Sequence, residues 1–141
     1  MMSKVAVVYW SGTGNTEAMA DAVAKGARAA GASAEIFSAS DFPAAKAAGF
    51  DAFALGCPAM GSESLEDSEF EPLYDAIKGS LAGKKVALFG SYGWGDGEWM
   101  RSWEARCAEK GIPLAADSVL ANEAPDETAL AACKALGKAM A

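Results

Sequence analysis

Residues 4–16 read Lys4-Val5-Ala6-Val7-Val8-Tyr9-Trp10-Ser11-Gly12-Thr13-Gly14-Asn15-Thr16, an apolar run that turns abruptly into a string of hydroxyls and glycines. The run leaves almost no polar position, as in a strand of a parallel sheet covered by helices on both faces. The string leads directly into a segment with helical spacing. Gly12 and Gly14 let the backbone fold tightly around an anion, the hydroxyls of Ser11, Thr13 and Thr16 can donate to it, and a helix amino end supplies unpaired N–H groups and partial positive charge. That combination is a phosphate cradle, and it carries more hydroxyls than one helix cap needs.

No Lys or Arg lies between Lys4 and Lys25, so an anion held here rests on amides, hydroxyls and the helix dipole rather than on a counter-charge. Two rival nucleotide readings fail on the same residues. A P-loop needs Gly-Lys-Ser/Thr, and the dinucleotide fingerprint needs a third glycine where this chain has Glu17.

Outward from this segment, strand and helix alternate. Residues 4–9, 34–38, 51–56 and 85–90 read as short buried strands, with a less regular fifth at 114–121, and helical spacing covers 16–30, 69–81, 98–110 and 126–141. Gly31 and Gly111 follow periodic segments where a left-handed cap is wanted, and Pro125 precedes the last helix, whose positive end Asp126 and Glu127 suit. Residues 39–50 fit neither pattern, because Pro43 and Gly49 break any long helix. Right-handed crossovers pack helices on both sides of such a sheet, which predicts an α/β three-layer sandwich forming a single domain over residues 1–141. Ligands of that architecture bind beyond the carboxyl ends of the strands.

Composition narrows the function. Twelve basic against nineteen acidic residues give a net charge of −7, which argues against nucleic acid or anionic lipid and for a basic protein partner. Histidine is absent, removing the usual activator of a nucleophilic serine. Cys57, Cys107 and Cys133 are too far apart for a zinc or iron–sulfur site and odd in number, so they read as free thiols. No apolar run is long enough to span a bilayer and the start lacks a signal peptide's regions, so the expected location is cytoplasmic with no membrane partner.

Two further loops should emerge at the same edge as the cradle: Cys57-Pro58-Ala59-Met60-Gly61-Ser62-Glu63, and Ser91-Tyr92-Gly93-Trp94-Gly95-Asp96-Gly97-Glu98-Trp99. Trp94, between two glycines, has no neighbours to pack it and reads as a wall for a flat aromatic ligand, whereas Trp99 and Trp103, four apart on a helix, belong with the core.

Residues 11–16, the turn 59–63, the loop 90–97, and Asn122-Glu123 with Pro125-Asp126 together resemble, in order and spacing, the signature segments of flavodoxins, especially the short-chain FMN-binding type of anaerobic bacteria. The resemblance covers essentially the whole chain. It implies the flavodoxin-like fold, with a five-stranded parallel sheet of order 2-1-3-4-5. It also implies noncovalently bound FMN. Ser11, Gly12, Thr13, Gly14, Asn15 and Thr16 would hold its phosphate, and Asn122 would lie near the ribityl chain or ring. Pro58 stands where relatives often place a serine, which removes one secondary phosphate contact. The ring would sit between Met60 and Trp94, within the segments Pro58 to Glu63 and Ser91 to Gly97, with Glu63 accepting from its N3–H.

By the same resemblance the protein is a low-potential one-electron carrier and a monomer, cycling mainly between semiquinone and hydroquinone. Its partners would be redox proteins with basic docking surfaces, one a reductase donor and one an acceptor enzyme. Gly61 would permit the Gly61-Ser62 peptide to rotate toward flavin N5. The acidic run Glu63, Glu66, Asp67, Glu69 and Glu71, with Asp96 and Glu98, would oppose added negative charge on the ring. Two other functions share the fold. An FMN-dependent NAD(P)H:quinone reductase needs a substrate pocket that these short loops and Trp94 leave little room for. A phosphoacceptor receiver domain needs acidic residues after the first and third strands, where this chain has Trp10-Ser11 and Cys57-Pro58.

Overall fold

The structure, a computed structural model, describes residues 3–12, 14–60, 65–81, 84–93, 97–112 and 114–141. Strand β1 (Lys4–Tyr9) leads to helix α1 (Asn15–Ala29), and β2 (Ser33–Ser38) leads through two short 3-10 turns to β3 (Ala52–Gly56). Then follow α2 (Phe70–Ile77), β4 (Lys85–Tyr92), α3 (Glu98–Glu109), β5 (Val119–Asn122) and α4 (Glu127–Met140). All strand pairings are parallel and the sheet order is β2-β1-β3-β4-β5, as the resemblance implied.

Each central strand divides its side chains between two cores, which is why 5–8, 52–55 and 86–89 are apolar throughout. Ala6 and Val8 of β1, Phe53 and Leu55 of β3, and Val86 and Leu88 of β4 pack on one face, under α2, α3 and residues 39–50. Val5 and Val7, Ala52 and Ala54, and Ala87 and Phe89 pack on the other, under α1 and α4. The second face is lined mainly by small residues, so its two helices come close to the sheet and to each other. A Cβ on Gly26 would stand 2.0 Å from the Lys134 carbonyl oxygen, and one on Gly137 would stand 2.0 Å from that of Val23. Only hydrogen fits there.

The first face takes the bulk. Trp99 and Trp103 are 1% exposed, as their helical spacing indicated. Residues 39–50, which the sequence pattern leaves unassigned, form the 3-10 turns Ala39–Asp41 and Ala44–Gly49. They place Phe42 and Phe50 edge-on against Phe37 and Phe53, with ring centroids 5.0–6.1 Å apart. The Lys84 ammonium donates to the carbonyls of Ala47 and Phe50, closing that end of the segment.

Element boundaries depart from the sequence pattern in three places, each with a local cause. The fifth strand is limited to Val119–Asn122. Leu114 makes only one bridge, to Val86, and the chain then turns aside, with Ser118 Oγ donating to Glu104 of α3 at 2.7 Å. Strand β4 runs two residues past Gly90, because β5 pairs with that end, Ser91 opposite Ala121 and Tyr92 opposite Asn122. Helix α2 stops at Ile77 and tightens into a 3-10 turn at Lys78–Ser80, around Gly79, which has little helix propensity. The expected left-handed caps form at Gly31 (φ 96°) and Gly111 (φ 69°), and Asp126 caps α4 by accepting from the Ala129 amide at 2.8 Å.

All three thiols are buried and free. Burial pushes those of Cys57 and Cys133 up to about 12. Among the described residues no helix is long and apolar enough to cross a membrane.

Gly26→Ala or Gly137→Ala should each destabilise the protein by about 3 kcal/mol, the upper end for overpacking, because the obstructing atoms are backbone and cannot rotate away. A lowered urea midpoint with an unchanged slope is the expected signature. A midpoint equal to wild type would show that α1 and α4 are not held at this separation.

Candidate functional site

The carboxyl ends of β1, β3 and β4 deliver three loops to one edge of the sheet, and hydrogen bonds fix where each begins. The Trp10 amide donates to Gly56 O (3.0 Å), that of Cys57 to Phe89 O (3.1 Å) and that of Ala59 to Ser91 O (3.0 Å). In the first loop Ser11 Oγ accepts from the Gly14 amide at 3.0 Å, and Gly14, at φ 93°, turns the chain into α1. Only glycine adopts that angle without strain. Helix α1 begins without a side-chain cap, in contrast to α4, so its first amides have no side-chain acceptor and suit an outside anion.

Thr16 is buried, and its hydroxyl lies 3.2 Å from that of Ser91, tying the first loop to the third. It therefore serves inter-loop contact as well as any anion. Thr13 lies outside the described residues.

Two clefts open at this edge, and Trp10 and Gly12 border both. One, of about 320 Å³, is polar and lined by Tyr9, Ser11, Gly12, Gly14, Glu17, Ser38, Ser40 and Glu69 among others. The Tyr9 hydroxyl donates to Glu17 at 2.9 Å. Burial and then this carboxylate push the phenol up to about 12, so Tyr9 is a donor at any physiological pH.

The other cleft, of about 430 Å³, is lined mainly by apolar surface, and its size lies within the range of small-molecule sites. Around it the structure gathers Gly12 and Asn15 from the first loop, Pro58, Ala59 and Met60 from the second, and Ser91, Tyr92 and Gly93 from the third. Trp10 and Glu123 complete it. No Lys or Arg borders either cleft among the described residues.

Other expected residues either lie outside the described part of the chain or are not among the lining of this cleft. Gly61, Ser62 and Glu63, and Trp94, Gly95 and Asp96, lie outside the described residues. Gly97 begins α3 at φ 92° without lining the cleft. Asn122 ends β5 and faces a neighbouring groove of about 330 Å³ with Ala124, Asp126 and Thr128. Its successor Glu123 lines the apolar cleft instead. Glu123 is held at φ 57°, with its amide donating to Tyr92 O at 2.7 Å, a conformation uncommon outside glycine and often found at functional positions. In the apolar cleft, the sequence assigns no role to Trp10 and includes Glu123 only as part of the Asn122-Glu123 segment, not as a lining residue. The signal for Trp10 is an indole at the last position before the cradle, while the φ of Glu123 leaves no trace in its residue type.

The family model described as Flavodoxin matches residues 7–137. The flavodoxin of Megasphaera elsdenii is 49% identical over 137 residues, covering 97% of this chain and 98% of that one. That of Clostridium beijerinckii is 48% identical over 121 residues, covering 86% and 88%. Among solved structures, the two-electron reduced Megasphaera elsdenii flavodoxin aligns with a TM-score of 0.88 over 96% of this chain and 97% of that one.

The acidic run beside the second loop is partly structural. Glu66 is 5% exposed, and its carboxylate accepts from the Ser68 amide and hydroxyl, the Glu69 amide (2.7 Å) and the Phe70 amide (2.9 Å). It thereby caps α2 from outside the helix. Glu71 is paired with Arg106 at 2.6 Å, a cation that the next helix supplies across 35 residues of sequence. These two carboxylates are committed to holding α2, and the reading of the run as a field on the ring is narrowed accordingly.

Burial raises the Glu66 carboxyl, but the hydrogen bonds from Ser68, Phe70 and Glu69 outweigh it and hold the pKa below the ordinary 4.5. A depressed folded pKa contributes stability that is present above the unfolded value and lost as pH falls through the folded one. The urea midpoint of wild type should therefore drop on going from about pH 5 to about pH 3, and Glu66→Gln, less stable at neutral pH, should drop less over that interval. Equal drops in the two proteins would remove Glu66 from the acid transition.

Proposed function

The chain belongs to the flavodoxin family and is an FMN-binding electron carrier, and on that premise we propose how its own residues hold and tune the cofactor. The observation that carries the proposal is the pair of clefts at one sheet edge, hydroxyl- and amide-rich beside the uncapped start of α1, and apolar beside Met60 and Tyr92. Those linings fit a molecule with an anionic end and a flat aromatic end. The chemistry that bound FMN supplies is reversible uptake of electrons one at a time.

The residues' tasks divide along the cofactor. Ser11, Gly12, Thr13, Gly14, Asn15 and Thr16 bind the phosphate through amides, hydroxyls and the positive end of α1, without a counter-charge. Met60 and Trp94 would hold the ring between them, and the remaining residues of 58–63 and 91–97 would shape its surroundings. Glu63 would accept a hydrogen bond from a ring N–H at the polar edge. Asn122 supports the site from the end of β5, one residue from the cleft-lining Glu123.

Clefts bordered by Glu17, Glu69 and Glu123, with no Lys or Arg at their rims among the described residues, oppose negative charge added within about one Debye length, ~8 to 10 Å. The protein accordingly works as a strong donor. Residues 1–141 act as one unit, as a monomer, and dock through an acidic edge onto basic surfaces of larger redox proteins, one a reductase donor and one an acceptor enzyme. No substrate is turned over on the chain itself.

Apoprotein titrated with FMN should quench the free flavin's fluorescence to an endpoint of one equivalent, and the yellow complex should survive gel filtration. Addition of NADPH alone should leave its visible absorbance unchanged over minutes. Rapid bleaching by NADPH without a reductase would replace the carrier reading with an enzyme of the same fold. Failure to retain FMN would reject the assigned loops.

A further inference from the structure

We propose that Glu69 is a positioning residue for the cofactor: its carboxylate holds the Trp10 indole where it borders both the phosphate end and the ring end of the site. The inference rests on the FMN-binding reading and adds to it a residue that lies on another element, 59 positions away in sequence.

Trp10 Nε1 donates to Glu69 Oε1 at 2.9 Å. The indole is half-buried and borders both clefts, and a Cβ on Gly12 would stand only 3.1 Å from its six-membered ring. The ring therefore backs the cradle at its tightest point. An indole held only by its own χ angles would have other staggered positions open to it, and any that swings it off Gly12 would remove its backing from the cradle.

The backbone that carries the Glu69 carboxylate is itself fixed. Its amide donates to Glu66 Oε1 at 2.7 Å, the Glu66 amide donates to Cys57 Sγ at 3.4 Å, and the Cys57 carbonyl accepts from Trp99 Nε1 at 3.0 Å. One chain of hydrogen bonds thus runs from the first loop through the base of the second to the start of α3. The indole is the member of that chain that reaches the cofactor's space.

Charge and position predict opposite signs, which makes the assignment testable. A carboxylate beside a phosphate repels it, so loss of the charge alone should tighten FMN binding. Loss of the acceptor frees the indole and should weaken it.

The test is the dissociation constant of FMN from apoprotein, measured by flavin fluorescence for wild type, Glu69→Gln, Glu69→Leu, Trp10→Phe and the variant carrying both Glu69→Leu and Trp10→Phe. Glu69→Gln keeps an oxygen to accept from the indole and should bind at least as tightly as wild type. Glu69→Leu should bind about tenfold more weakly, as should Trp10→Phe, which keeps a ring but lacks the donor. The double variant should bind no more weakly than the weaker single one, since the two residues act through one bond.

The assignment is overturned if Glu69→Leu binds as tightly as wild type or tighter, if Glu69→Gln falls as far as Glu69→Leu, or if the two losses add. Should Glu69→Leu not fold, Trp10→Phe and Glu69→Gln decide it in the same way. Wild type that binds FMN while the variants show no loss removes the positioning role alone. Wild type that binds no FMN removes both this role and the reading beneath it.

Discussion

Burial of β1 on both of its faces is the constraint from which the rest of the structure follows. Val5, Ala6, Val7 and Val8 are fully buried, which is possible only in a strand with a paired neighbour on each side and a helical layer above and below. With β2 on one side of it and β3 on the other, the chain reverses its direction of travel across the sheet at this strand. The loops after β1 and β3 therefore diverge, and a crevice is left between them at the carboxyl end. The same alternation that seals β1 opens the site.

The helices carry this asymmetry into charge. In a parallel sheet every crossover helix starts near the strands' carboxyl ends, so residues that suit a helix start collect at one pole of the molecule and those that suit a helix end collect at the other. Glu17, Glu98 and Glu127 occupy first turns and Arg28 and Lys138 last turns, while Glu71 and Arg106 neutralise each other in their ion pair. Local preferences of about 0.3–1 kcal/mol each thus align into a molecular polarity, negative at the end where the cofactor binds. Lys4 and Lys85, which open β1 and β4, reinforce it.

The parts of this arrangement that were readable in sequence are those fixed by local physics. The run at 4–9 announces a doubly covered strand without reference to any other segment, and the helix caps at Gly31, Gly111 and Asp126 depend on their immediate neighbours. What could not be read depends on partners far away in the chain. The fifth strand is cut short by a serine bonded to another helix. Glu66 and Glu71 look like members of a solvated acidic run until three dimensions supply the amides and the arginine that hold them. Trp10 is hard to read for a comparable reason: its contacts are a carboxylate at the N-cap of α2 and a glycine beneath its ring, whereas Trp94 stands out between two glycines within its own loop.

The sealed thiols have a consequence for handling and for life beside a redox centre. Sulfur reacts with alkylating agents, disulfides and peroxides mainly as the thiolate, and the Cys57 and Cys133 groups, pushed up to about 12 within solvent-free surroundings, are almost wholly protonated in any living cell. Cys107 is equally buried and its thiol is raised as well, so native protein should react with maleimide or glutathione disulfide only as fast as it opens to expose a thiol.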